Sequence, residues 1–323
     1  MMRERPSRNI GLDLVRVTET VALATGRWVG SGNYDMAHLT ACRAMADALN
    51  TLDMNGRVIF GEERRLGKNA PLCSHQLVGT GDGPDVDVLV DPIDGTNLLI
   101  KGLPGAVSVV CVAPKDTIES PFPAKYMEKI IVDEEAADVL VPECMDAPAA
   151  WTLALIARAK NKAVRDLSVV VLNRTRHEDL IAEIRATGAR VLLRDEADAE
   201  GAFLAVTPHT GVDLLMGIGG SAQGMIAACA VKAQGGQMLT RLAPQSNGER
   251  ALLQQAGLDV AKIRTVDDLV KTEQLFIAVT GVTVTTLLPE MRYYSDFART
   301  HSLLIRSETG TRRYIQADHS ARI

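Results

Sequence analysis

Long apolar runs are missing from this sequence of 323 residues, the longest being stretches such as Ala106 to Ala113 and Leu275 to Val279. They fall far short of the roughly 20 residues that cross a bilayer as a helix, so a soluble chain with no membrane association is expected. An excess of basic residues is also missing, because 35 Lys and Arg face 40 Asp and Glu for a formal net charge of -5. Binding to phosphate backbones needs clustered cations, which excludes nucleic acid as a partner. The five cysteines, Cys42, Cys73, Cys111, Cys144 and Cys229, are odd in number and never closer than 31 positions. Such spacing spells out neither a disulfide framework nor a paired-cysteine zinc site, and reduced, mostly buried thiols are expected. The N-terminus, Met1 to Pro6, is charged and is not followed by the apolar core or cleavage site of a secretory signal, which points to the cytoplasm.

What is present is an ordinary globular composition, with 46% hydrophobic residues and 13 Pro. The length suggests two domains, and the Pro-bounded stretch Pro142 to Pro148 marks the expected boundary, giving residues 1–148 and 149–323. Helical periodicity covers Leu14 to Val29, then Met36, Leu39, Cys42, Met45 and Leu49 behind Asp35 as a candidate N-cap. Val58 to Phe60, after the turn dipeptide Asn55-Gly56, reads as a strand that delivers Glu62 and Glu63 at its end. Val86 to Val90 reads as a second strand, stopped by Asp91-Pro92, and Ala106 to Val112 as a third, buried on both faces. From Ser168 onward strand and helix alternate: strands Ser168–Leu172, Arg190–Leu193 and Val212–Met216, and helices Glu178–Thr187, closed by Gly188, and Ala222–Gln234. Phe276 to Val282 is one more strand, and Leu303–Ile305 with Arg313–Ile315 a terminal hairpin. Pro244 to Arg250 reads as the one flexible loop, with no internal repeat anywhere. The class is α/β, with layered α+β character.

The residues that carry chemistry are Asp91-Pro92-Ile93-Asp94-Gly95-Thr96, directly after a strand, with Glu62-Glu63 at the end of an earlier one. Alone, an Asp-Pro-x-Asp-Gly string is more often a capped turn. With three or four carboxylates converging, and the Thr96 hydroxyl opening the next element, it suits a hard divalent cation, which takes a few carboxylates plus substrate phosphate oxygens.

That six-residue string, with Gly61-Glu62-Glu63 upstream, resembles the signature of the metal-dependent, lithium-sensitive phosphatase superfamily, which includes inositol monophosphatases and fructose-1,6-bisphosphatases. Tyr126-Met127-Glu128-Lys129, the run Arg174-Thr175-Arg176-His177, Val212-Asp213-Leu214 leading to Gly217-Ile218-Gly219-Gly220, and Leu303-Leu304-Ile305-Arg306 are similar to class II fructose-1,6-bisphosphatases of the GlpX type. The similarity runs from Leu14-Val15-Arg16-Val17-Thr18-Glu19 to Arg312-Arg313, with this chain shorter between Gln237 and Val266. The resemblance implies a sugar-phosphatase fold of alternating α and β layers, with two halves flanking a metal site. It implies hydrolysis of the 1-phosphate of fructose 1,6-bisphosphate, or of a close analogue such as sedoheptulose 1,7-bisphosphate, with Mg²⁺ or Mn²⁺, in a dimer or tetramer serving gluconeogenesis. It makes Glu62, Asp91 and Asp94 metal ligands, and Asp94, Gly95 and Thr96 a border of the substrate. Thr96 would orient the attacking water, and Glu62 or Glu63 would take its proton. Tyr126, Arg174, Thr175 and Arg176 would contact the second phosphate, Glu196 and Asp198 the sugar hydroxyls, and Gly220 would contribute a backbone contact.

Several positions depart from the family. Asp94 is usually Glu, Arg174 usually Lys, and Tyr34 stands for a Lys. His38 stands where the family has an Asp metal ligand on the helix after Gly30-Ser31-Gly32, and Gln223 where it has a Glu, so both occupy expected metal-ligand positions. Fewer or weaker cations are expected. His38 as a ligand would favour Mn²⁺ or Zn²⁺; Asp35, three positions earlier, and Glu63 are alternative donors. A second reading is a pseudoenzyme that keeps the fold to bind sugar phosphate or an active partner. A third, a dinucleotide fingerprint at Gly217-x-Gly219-x-x-Ala222, is rejected because no acid occurs between Asp213 and Glu249 to hold a ribose.

Overall fold

The computed structural model describes residues 10–67 and 69–320. The chain forms two compact units, one running to Ser120 and resuming at Lys271, the other spanning Pro121–Val270. The division therefore falls at 120/121 and 270/271 instead of 148/149. The C-terminal segment returns to pair with an early strand, and no local shift in composition announces a pairing of that range. The Met1 to Pro6 stretch lies outside the described residues.

Unit 1 opens with α1 (Ile10–Thr25) and α2 (Tyr34–Leu49). Ile10, Leu14, Val17 and Val21 recur every three or four positions and are buried, which gives α1 one apolar stripe. Asn33, not Asp35, caps α2: its side chain accepts from the Met36 N–H at 3.2 Å. A cap must lie just outside the helix to reach the free N–H groups of the first turn, and Asp35 is already inside it. There follow β1 (Asn55–Val58), α3 (Glu63–Leu66), β2 (Leu77–Val78), β3 (Asp85–Asp94), α4 (Thr96–Lys101) and β4 (Val107–Pro114). Asn55-Gly56 is no turn but the start of β1, where Gly56 pairs with Val78 on one side and Val86 on the other. Every residue of β4 and all but the first of β3 are buried, as expected of strands covered on both faces.

Pro92 does not stop β3. The ladder pairs Asp91 with Val109 and Asp94 with Val107, so β3 carries one extra residue and continues through a bulge to Asp94. Proline has no N–H for a ladder and is tolerated at such an irregularity.

Unit 2 contains β5 (Tyr126–Val132), α5 (Ala149–Ala159), β6 (Ser168–Leu172), α6 (Glu178–Ala186), β7 (Arg190–Arg194), α7 (Asp198–Val206) and β8 (Leu214–Gly220). It continues with α8 (Ser221–Ala233), β9 (Gln237–Leu242), α9 (Asn247–Gln255), β10 (Arg264–Thr265) and α10 (Val266–Leu269). Its strands lie in the order β10-β9-β5-β8-β6-β7, with β6 parallel to both β7 and β8. Ile130, Val132, Leu153, Ile156, Val169, Val171 and Leu214 share one buried cluster. The expected loop Pro244 to Arg250 instead contains the first turn of α9, capped by Ser246, whose hydroxyl accepts from the Glu249 N–H at 3.2 Å. Polar residues read as loop there because α9 buries only Leu253.

Back in unit 1, the chain ends with β11 (Phe276–Gly281), β12 (Arg292–Tyr293), β13 (Phe297–Arg306) and β14 (Thr311–Ser320). The terminal hairpin is ten residue pairs long, far beyond the expected three. The unit 1 sheet runs β12-β13-β11-β4-β3-β1-β2 with β14 on β13; α1 packs on β4, β11 and β13, and α2 on β3. Helices layered on mixed sheets make this the expected α/β, layered α+β class. None of the five cysteines is in a disulfide, and all but Cys73 are buried. Among the described residues no helix is long and apolar enough to cross a membrane.

Candidate active site

Asp91 and Asp94 are three apart, and in a regular strand side chains three apart point to opposite faces. The extra residue of the β3 bulge breaks that alternation between Asp91 and Asp94, and Asp91 Oδ1 lies 3.9 Å from the Arg65 guanidinium. Gly95, at φ +94, makes the left-handed turn that starts α4, a backbone region glycine enters without strain. Thr96, the first residue of α4, is 3% exposed, and its hydroxyl lies 3.3 Å from the Ile93 carbonyl.

Glu62, just past β1, completes the group. His38 on α2 is fully buried between Glu62 and Thr96: Nε2 lies 3.0 Å from Glu62 Oε2 and Nδ1 3.3 Å from Thr96 Oγ1. An ionised carboxylate only accepts, so Nε2 carries a proton toward Glu62, and Thr96 faces the other nitrogen. Neither nitrogen turns an open lone pair to a cation in this arrangement. The Tyr34 ring stacks on His38 at 5.8 Å between centroids.

Arg65, three residues after Glu62 on α3, places Nη1 3.4 Å from Glu62 Oε2 and 3.9 Å from Asp91 Oδ1. Burial opposes the charge on Arg65, but Glu62, Asp91, Tyr34 and Asp94 outweigh it and push its pKa up. Burial and the same Glu62 and Asp91 charges push the Cys42 thiol up, which leaves it inert. Glu63 faces elsewhere: its carboxylate accepts from the Ser74 N–H at 3.0 Å and from the Ser74 hydroxyl, and so fastens the loop between α3 and β2. Asp35 is on the first turn of α2.

Among the described residues, no three His, Cys, Asp or Glu side chains are gathered as they stand into a cation cage. The donors nevertheless fit a divalent cation in kind. Glu62, Asp91 and Asp94 carry hard oxygen donors at 5%, 0% and 4% exposure, a burial that favours ionised carboxylates only with compensating positive charge. Arg65 now supplies part of that charge.

Unit 2 gathers a second group. Arg176 donates from Nη2 to the Ile218 carbonyl at 3.0 Å and lies 5.4 Å over the Tyr126 ring; Tyr126 in turn pairs with Gly220 across β5 and β8. Arg174 donates to the Asn173 carbonyl at 2.9 Å, and Thr175 is exposed beside it. His177 is held in one tautomer, because the Ile218 N–H donates to Nε2 at 2.8 Å and Nδ1 therefore donates to the Leu172 carbonyl at 2.7 Å. Burial lowers its pKa. Asp198 opens α7 after Ala197, which sits in the left-handed region at φ +63, a conformation costing a non-glycine residue about 1–2 kcal/mol. Asp198 accepts from Lys129 Nζ at 2.6 Å, and Lys129 is only 1% exposed. Gly219 runs against this pair so closely that a Cβ there would stand 1.9 Å from Asp198 Oδ2. Glu196 is half-buried two residues before Asp198. Gln223 folds back over Gly220 at the start of α8.

The sequence reading did not single out Arg65, Lys129 for its charge, or Glu200. Glu200 pairs with Arg194 at 2% side-chain exposure, and burial pushes its carboxyl up to about 7 against the pull of Arg194. Its folded pKa thus exceeds the ordinary 4.5. The stability it contributes is full below about pH 4.5 and lost as pH rises through about 7. Equilibrium urea unfolding should therefore give a downward slope of at most about 3 kcal/mol across that window, which Glu200→Gln flattens; an unchanged slope would discount the shift.

Against this geometry the comparisons with known proteins can be set. The family described as bacterial fructose-1,6-bisphosphatase, glpX-encoded, matches residues 8–319. The chain belongs to this family. It is 33% identical over 326 residues to a protein of Haemophilus influenzae named fructose-1,6-bisphosphatase class 2, covering 97% of this chain and 96% of the relative. It is 32% identical over 334 residues to a Synechococcus protein named D-fructose 1,6-bisphosphatase class 2/sedoheptulose 1,7-bisphosphatase, covering 96% and 95%. A similarly named protein of Acaryochloris marina is 31% identical. Enzymes of the GlpX family are metal-dependent phosphoric monoester hydrolases, and this chain is a hydrolase of that class. Nothing in the comparisons favours the pseudoenzyme reading.

Proposed function

We propose that the chain hydrolyses the 1-phosphate of fructose 1,6-bisphosphate, and of sedoheptulose 1,7-bisphosphate as a close analogue, with Mg²⁺ or Mn²⁺ as cofactor. The observation that carries this reading is the buried cluster in which Glu62 and Asp91 share the Arg65 guanidinium and His38 links Glu62 to Thr96, with Asp94 buried at the end of the β3 bulge. Glu62, Asp91 and Asp94 would hold the cation. Bound there, it supplies neutralisation of the phosphoryl oxygens and acidifies a water.

The protein's own groups do the rest. Thr96 orients the water, and Glu62 takes its proton; of the two acids considered for that role, Glu63 is spent on Ser74. The water oxygen bonds to phosphorus as the bond to the sugar oxygen breaks, and that oxygen leaves with a proton, giving sugar monophosphate and inorganic phosphate. In unit 2, Arg174, Thr175, Arg176 and Tyr126 take the distal phosphate, since a guanidinium fork matches two phosphate oxygens. Glu196 and Asp198 hold sugar hydroxyls, and the Gly220 backbone contributes a further contact. Unit 1 is thus the metal-binding part and unit 2 the sugar-phosphate-binding part. A cytoplasmic homo-oligomer, dimer or tetramer, acting in gluconeogenesis completes the proposal.

Phosphate release from a panel of sugar mono- and bisphosphates, with each cation in turn and Asp94→Ala as blank, tests it. Arg176→Ala should raise KM for the bisphosphate about 10- to 100-fold with kcat little changed, because a charge-assisted hydrogen bond is worth about 1.5–3 kcal/mol. A fall in kcat at constant KM would remove Arg176 from the distal site. Hydrolysis that appears only after His38→Asp with Gln223→Glu would favour the pseudoenzyme instead.

A further inference from the structure

We propose that Arg65 is a catalytic residue which stands in for a second cation, so that this chain works with one divalent ion and one guanidinium. The inference rests on the phosphatase reading above.

The first argument is the supply of donors. Both ring nitrogens of His38 are engaged, Nε2 with Glu62 and Nδ1 with Thr96, and Glu63 is turned to Ser74. Unit 1 is left with Glu62, Asp91 and Asp94, about what one octahedral ion uses together with waters and substrate oxygens. The second argument is charge. Among the described side chains, Arg65 already places a positive charge beside Glu62 and Asp91, so a second ion there would meet like-charge repulsion that a first ion and the guanidinium together avoid.

The third argument is position. The acids are buried, whereas the Arg65 side chain is 32% exposed, so Arg65 is the member of this cluster most open to solvent. Its two contacts, at 3.4 and 3.9 Å, are long for a bidentate pair, which is normally 2.7–2.9 Å. Arg65 is held near the acids by charge more than by tight hydrogen bonds. When the carboxylates serve the cation, the guanidinium turns to two oxygens of the ester phosphate.

Manganese titration of the full chain, followed by electron paramagnetic resonance without substrate, tests the proposal beside steady-state kinetics. The native chain should bind one Mn²⁺. Arg65→Gln should bind that ion about tenfold tighter, because a competing positive charge is gone, while kcat on fructose 1,6-bisphosphate falls about a hundredfold. Arg65→Lys, which keeps charge but not the fork, should recover part of kcat. A purely structural Arg65 would not tighten metal binding as turnover falls. Two ions per native chain, looser Mn²⁺ in Arg65→Gln, or an unchanged kcat would each overturn the inference. A native chain that binds one Mn²⁺ yet hydrolyses no sugar phosphate would instead overturn the phosphatase reading.

Discussion

Asp91→Asn should cut kcat/KM by about a thousandfold, on the order of 4 kcal/mol of lost transition-state stabilisation. Asp91 is fully buried, sits at the bulge of β3, and shares Arg65 with Glu62. Asn has the same shape but no charge, so it removes one ligand and one unit of negative potential without opening a cavity. The same change should stabilise the chain when metal is chelated away, because it relieves repulsion among three buried carboxylates. Each kcal/mol relieved raises the thermal midpoint by roughly 2 °C in a chain of this size. Less activity with more stability is the signature of a functional carboxylate. If Asp91→Asn lost activity and stability together, Asp91 would be a structural residue and the site would have to be sought elsewhere.

Lys129→Met should destabilise unit 2 by about 3–5 kcal/mol, the cost of leaving one member of a buried pair without its partner. Lys129 is among the largest fully buried side chains, and its ammonium lies 2.6 Å from Asp198 with Gly219 pressed against both. Once Lys129 is gone, Asp198, only 6% exposed, keeps a charge that little water can solvate. The double variant Lys129→Met with Asp198→Leu should recover most of that loss, since apolar replacement of a whole buried pair is often neutral or better. Equilibrium urea unfolding of the two single variants and the double variant measures the coupling directly. Additive effects would show that the pair contributes nothing as a pair. If Asp198 also holds sugar hydroxyls as proposed, the double variant will be stable but poor in KM.

Much of the fold was legible because burial leaves a periodic mark. The stripe on α1 and the unbroken apolar run of β4 are set by local chemistry; β4 formed within two residues of its expected bounds, while α1 begins and ends four residues earlier than the Leu14 to Val29 reading. Elements whose pattern carried no such mark were missed or misplaced. α7 is buried at every residue, including Asp198 and Glu200, so it has no polar face to give it a period. α9 buries only Leu253 and reads as loop. Asn55-Gly56 carries turn chemistry, yet pairing with strands on both sides overrides it.

The candidate site divides in the same way. The order of residues already contained the acids and hydroxyl of unit 1 and the arginine run of unit 2, because chemistry that needs carboxylates near a turn writes them close together along the chain. The partners of those groups were not contained in it. His38 reaches Glu62 across 24 positions, and Lys129 reaches Asp198 across 69. Arg65 lies near Glu62 along the chain but matters through Asp91, 26 positions on, which only the fold brings to 3.9 Å from its guanidinium. Spacing along a chain reports which groups are available, while charge compensation in a low-dielectric interior depends on distances through space. Whether His38 is a ligand or a bridge, and whether the carboxylates answer to an ion or to an arginine, are therefore questions that folding answers and residue order leaves open.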